Sequence, residues 1–143
     1  MASKNVETLR AAHESWNKRD FPGVVKNAAQ GLVYTDKARS QTCNGRDKFR
    51  EWVEEWAKAF PDARITNAEY IDAGDFVIAR FSTVGTNNGA FGPMPPTGRK
   101  INFPYCEICR FDKEGRFVSG EAYYDLYTLL TQLGHVQPIA AAA

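Results

Sequence analysis

The chain has 143 residues, of which 43% are hydrophobic and 24% charged, a balance that suits one globular domain with its own core and excludes a disordered segment. Eighteen basic residues against seventeen acidic ones leave a formal charge of +1, so no overall field draws nucleic acid or an anionic membrane, and neither is expected as a partner. No apolar run approaches the ~18 residues of a membrane span, and Met-Ala-Ser-Lys-Asn leads into a charged helix without the apolar core of a secretion signal, so a cytoplasmic location is expected.

Ser3 is placed to cap a helix over about 3–19, with Val6, Leu9, His13 and Trp16 at helical spacing and Phe21-Pro22-Gly23 as its break. A short second helix from Gly23 to Ala29 is expected next, then a brief strand, Leu32-Val33-Tyr34, ending at Asp36, then a loop. After Asn44-Gly45, the residues Phe49, Trp52, Val53, Trp56 and Phe60 mark the apolar face of a third helix that stops before Pro61. From there the pattern alternates, giving strands at Arg64–Ile71, Phe76–Gly85, Lys100–Phe111 and Arg116–Asp125. A long Gly/Pro-rich loop, 87–98, separates the second of these from the third, as loops that cover sites often do. A last helix, Leu126–Leu133, is stopped by Gly134 and Pro138, and residues 138–143 read as an unstructured tail, so a single domain is expected over 1–137.

Helices first and strands afterward predict an α+β fold in which a curved antiparallel sheet is wrapped by three N-terminal helices around one cavity. Aromatic residues on both faces of that sheet predict a homodimer formed through the outward face.

The last strand puts Phe117, Ser119, Glu121, Tyr123 and Asp125 on one face, so two carboxylates and a phenol share a surface where lost solvation would raise the acids toward useful proton transfer. Asp125 could equally cap the helix that begins at Leu126, and the two roles are compatible. Glu107 lies on a face with Phe103, Tyr105, Cys109 and Phe111, and a charge there needs a partner. Arg80 and Arg110 are the available cations, and a structural ion pair is preferred over catalysis. His13, on the apolar face of the first helix, reads as a hydrogen-bonded core histidine or a base. Trp16, Trp52 and Trp56 read as core, or as walls of any pocket.

Three cysteines make no disulfide framework and are expected as free thiols, and Cys106 and Cys109 point to opposite strand faces. With His13 and His135 far apart in sequence, no metal is expected. Neither a phosphate-binding loop nor a nucleophile elbow is present.

Three stretches together, WAKAFPD at 56–62, GTNNGAFGPMPPTGR at 85–99 and YDLYTLLTQLG at 124–134, resemble the SnoaL-like polyketide cyclases in content, order and spacing over most of the chain. The resemblance implies the cone-shaped fold of the nuclear-transport-factor-2-like proteins. It also implies acid/base chemistry beside a carbonyl without metal or organic cofactor, in the cyclases an intramolecular aldol ring closure, on a small hydrophobic or polyketide-like molecule. Asp125 matches the family's catalytic aspartate. Asn87 stands where the family tends to carry histidine, and Glu121 where the cyclases commonly carry tryptophan. The resulting expectation makes Asp125 and Glu121 catalytic, with Tyr123, Asn87, His13, Trp16 and Glu107 around the substrate. A related hydroxylase, isomerase or epoxide hydrolase, and a module that binds a hydrophobe without converting it, remain open alternatives.

Overall fold

The computed structural model describes residues 3–139. Helix α1, Lys4–Asn17, starts where the Ser3 hydroxyl accepts a hydrogen bond from the Val6 N–H at 3.1 Å, and it buries Val6, Leu9 and His13. It ends as the chain turns back through Arg19 at φ 60°. The Arg19 guanidinium donates to the carbonyls of Trp16, Phe60, Pro61 and Ala63, tying the end of α1 to a turn more than forty residues away.

Helix α2, Phe21–Val24, is shorter than the expected span to Ala29. So short a helix has little stability of its own, and the chain from Ala28 is instead captured by a sheet, in which Ala28 pairs with Phe117. Strand β1, Ala28–Asp36, therefore starts earlier than the sequence suggests. It turns back into β2, Gln41–Asn44, within the stretch expected to be a loop. Helix α3, Arg46–Ala59, follows and buries Phe49, Trp52, Val53 and Trp56 on one face, as its periodicity requires.

Strands β3, Arg64–Ala73, β4, Phe76–Thr86, β5, Lys100–Phe111, and β6, Phe117–Tyr124, complete one six-stranded sheet of order β2-β1-β6-β5-β4-β3. The pairing is antiparallel except between β1 and β6, which run parallel, so the all-antiparallel expectation is corrected there. The sheet curves without closing, and α1 and α3 pack into its concave side against β3 and β4 and against β1 and β2. Strand β5 alternates strictly, with Ile101, Phe103, Tyr105, Glu107 and Cys109 buried and the residues between them turned outward.

Strand β6 does not alternate strictly. Its pairing with β5 jumps from Arg110–Ser119 to Phe111–Phe117, leaving Val118 as a bulge. One extra residue exchanges the faces, so Phe117 is buried with Gly120 and Ala122, while Glu121 and Tyr123 lie on the outer side. The face expected to run unbroken from Phe117 to Asp125 is thus split at Val118.

Helix α4, Leu126–Leu133, ends on Gly134 at φ 85°, the left-handed geometry that glycine tolerates. Cys43, Cys106 and Cys109 are free thiols, with Cys109 buried and Cys106 partly exposed on the opposite face. Among the described residues no helix is long and apolar enough to cross a membrane. The residues expected to form a terminal tail lie, from Ala140 on, outside those described.

Candidate active site

Between the helices and the concave sheet lies a cavity of about 110 Å³. Helix α1 contributes Leu9, Ala12, His13 and Trp16, and α3 contributes Phe49, Trp52, Val53 and Trp56. The sheet contributes Tyr34, Phe81, Thr83, Tyr105, Glu107 and Phe117. The walls are interlocked rings: Tyr34 lies 4.7 Å from Phe49 and 4.9 Å from Trp52, centroid to centroid, and Phe81 stacks on Tyr105 at 4.9 Å.

Most polar groups of this cavity gather on one side, with Thr83 further along β4. The inward phase of β5 carries Glu107 under α1, where the helical spacing brings His13 down onto it. One Glu107 oxygen pairs with His13 Nε2. The other accepts the Tyr34 hydroxyl at 2.6 Å. His13 Nδ1 in turn shares a hydrogen bond of 2.7 Å with the Tyr70 hydroxyl. Tyr70 does not line the cavity. It is half-buried on β3 with the Arg10 guanidinium 4.7 Å above its ring. The four side chains thus form a continuous line, Tyr34–Glu107–His13–Tyr70, from the cavity wall to a half-buried phenol on β3.

Burial by itself would raise the Glu107 carboxyl, but the His13 imidazole and the hydrogen bonds from His13 and Tyr34 outweigh it and hold the group below its ordinary value. The Tyr34 and Tyr105 phenols are pushed well above theirs by burial and by the nearby Glu107 carboxylate. Both phenols therefore remain protonated at neutral pH and serve as donors. Tyr70, with burial opposed by Arg10, is raised to about 12.

Of the residues expected around a substrate, His13, Trp16 and Glu107 line this cavity, whereas Asp125, Glu121, Tyr123 and Asn87 do not. Asp125 is exposed and caps α4, accepting from the Thr128 N–H at 3.2 Å and the Thr128 hydroxyl at 2.7 Å. Those two bonds lower its carboxyl, the reverse of the raised value expected. Glu121 lies on the outer side, held by the Tyr123 hydroxyl at 2.7 Å and by Lys37 at 3.3 Å. The Val118 bulge is the physical reason these groups turn away from the cavity.

Asn87 is fully buried and organises its own loop, accepting from the Thr97 N–H at 2.8 Å and donating to the carbonyls of Ala59 and Gly89. The expected cationic partner of Glu107 is also corrected. Arg80 is exposed and pairs with Glu69 at 2.7 Å, and Arg110 is exposed, so His13 is the partner. Tyr70 carried no signal of a role, because its contact to His13 joins residues 57 positions apart. Tyr34 was legible only as part of a brief strand, and Tyr105 only as an aromatic residue on the apolar strand face that carries Glu107.

A second buried carboxylate, Asp36, is fully enclosed at the end of β1. It accepts from Arg39, from Trp52 Nε1 at 3.2 Å and from the Tyr124 hydroxyl at 2.9 Å, and so fixes α3 to the sheet.

The sequence model of the SnoaL-like polyketide cyclases matches residues 6–133. No functionally curated protein matches the chain. Among solved structures, a provisionally assigned SnoaL-like polyketide cyclase from Jannaschia sp. CCS1 is similar with a TM-score of 0.85 at 19% identity, covering 96% of this chain and 99% of that one. AclR of Streptomyces galilaeus, a provisionally assigned hydroxylase, gives 0.82 at 23% identity, covering 96% and 85%. IdmH of Streptomyces antibioticus, a provisionally assigned polyketide cyclase, gives 0.77 at 24% identity, covering 92% and 99%. At these identities the likeness is one of fold.

Proposed function

The chain belongs to the SnoaL-like polyketide cyclase family, and from that premise we propose that it is a cofactor-independent enzyme performing acid/base chemistry next to a carbonyl, with Glu107 as the base. The observation that carries this reading is a buried carboxylate, 8% exposed, on the wall of an aromatic cavity and linked through His13 to Tyr70. A neutral carbonyl compound is the partner such a site takes.

In the step proposed, a Glu107 oxygen accepts the proton on the carbon beside the carbonyl. The C–H electron pair becomes the enolate C=C bond, and the carbonyl π pair moves to oxygen. Tyr105 donates to that oxygen. Once Glu107 is protonated it is a weaker acceptor, so the Tyr34 hydroxyl is released to donate to the enolate as well. Return of the proton to carbon completes an exchange or isomerisation. Attack of the enolate carbon on a second carbonyl instead forms a ring C–C bond, and the new alkoxide takes the proton from Glu107.

Each unit by which a base falls below its substrate costs about 1.4 kcal/mol, so a carboxylate held down by His13 and Tyr34 requires a carbon already acidified by conjugation or a well-held enolate oxygen. The same saturation of Glu107 favours a second reading, a module that binds a hydrophobe without turnover, since both carboxylate oxygens already accept hydrogen bonds.

One experiment separates the two. Methyl ketones from acetone to aryl ketones are incubated with the protein in D2O, and deuterium uptake beside the carbonyl is followed by NMR. Catalysed uptake that Glu107→Gln reduces by about 10²–10⁴-fold supports the enzyme. Uptake at the buffer rate, with binding retained, supports the binding module.

A further inference from the structure

We propose that the cavity selects a neutral carbonyl compound with a single ring, and that multi-ring and acidic molecules are excluded. The acid/base reading enters only in deciding which part of that compound faces Glu107.

Size is the first argument. An apolar cavity of about 150 Å³ is filled by benzene, and pockets for drug-sized ligands run from about 300 to 1,000 Å³. The present cavity has about 110 Å³, less than that benzene site, so a single ring already fills it and a second finds no room. Its walls do not yield easily, because Tyr34, Phe49, Trp52 and Trp56 pack ring against ring, with neighbouring centroids 4.7 to 6.0 Å apart. Enlarging the space means displacing several of these rings together. Flat walls of this kind suit a flat, unsaturated ring.

Charge is the second argument. Among the described residues, no lysine or arginine lines the cavity. A ligand carboxylate would enter without a lysine or arginine beside it and meet Glu107, whose imidazole neighbour, His13, is already committed to it. Polarity is the third. His13, Tyr34, Tyr105 and Glu107 sit together, and Thr83 stands apart from them further along β4, so the ligand has one strongly polar end, a carbonyl, and a largely apolar body.

All three tryptophans of the chain line the cavity, so their indole N–H resonances report occupancy. Wild-type protein would be titrated with acetophenone, benzoate, 1-acetonaphthone and 9-acetylanthracene. The expected result is that acetophenone moves the indole resonances and binds more tightly than benzoate and 9-acetylanthracene by about tenfold or more, with 1-acetonaphthone between. Binding of 9-acetylanthracene or benzoate as tight as that of acetophenone would overturn the proposal, as would an absence of indole shifts with acetophenone. Deuterium uptake by acetophenone is measured on the same samples. Ligand selectivity without catalysed uptake overturns the acid/base reading alone, whereas catalysed uptake without ring-size selectivity overturns this proposal alone.

Discussion

A carboxylate buried beside an imidazole is useful only while both keep their partners, and each link of the Tyr34–Glu107–His13–Tyr70 line has its own test. Tyr70 acts through His13 and is a positioning residue. Tyr70→Phe should leave acetophenone binding almost unchanged and lower the exchange rate by up to about tenfold, the worth of one hydrogen bond, while displacing the pH profile of the reaction. A profile identical to wild type would remove Tyr70 from the line. Asp125 gives the contrary expectation. As an exposed helix cap it should be replaceable by Asn, itself a good cap, with neither exchange nor melting temperature altered, and a selective loss of rate in Asp125→Asn would restore it to the chemistry. Glu107 was legible as an inward acid because β5 alternates without interruption, and His13 because α1 has a regular period. Their pairing was not legible, since it joins residues 94 positions apart and depends on how α1 lies across the sheet.

At the level of elements, the motifs that carry the family resemblance hold the scaffold together. Asp62 accepts from the Thr86 N–H at 2.6 Å and the Thr86 hydroxyl at 2.8 Å. Asn87 clasps Thr97 and Ala59, and a side chain at Gly89 would collide with the Lys58 carbonyl at the end of α3. Gln132 exchanges two 2.8 Å bonds with the Asn102 backbone, and a side chain at Gly134 would meet the Arg99 guanidinium. A sequence pattern of this kind identifies the fold well and the chemistry poorly, which is why the architecture was readable while the acid on the family motif was placed in the wrong environment. Asn87→Ala would leave buried groups without partners and should cost about 1–3 kcal/mol in denaturant unfolding, with acetophenone binding nearly unchanged because Asn87 does not line the cavity. The bulge at Val118 had no sequence signal, because an unbroken alternation and one interrupted by a single extra residue look alike until the partner strand is known.

For the whole molecule, α1 and α3 cover only the concave side of the sheet, and Val33, Ile71, Phe76 and Tyr123 are exposed large side chains. Sedimentation at micromolar concentration is expected to give a dimer joined through the outer face, and a monomer would refute that assembly. Acid stability follows from Glu107. Its carboxyl is lowered in the folded state, so its contribution is fully present above the ordinary value of 4.5 and is lost as the pH falls through the lower folded value. Glu107→Gln should therefore flatten the pH dependence of thermal unfolding on the acid side, and an unchanged dependence would show that other groups govern it. The line of side chains also separates two kinds of traffic. Ligands occupy a cavity that Tyr70 does not border, while Tyr70, half-buried on β3 beyond His13, keeps some contact with solvent. A bound ketone therefore does not stopper the route by which Glu107 exchanges its proton for a deuteron. A methyl ketone in D2O would then be labelled more than once per visit, and the earliest product in its mass spectrum would already contain di- and trideuterated molecules in excess of a random succession of single events.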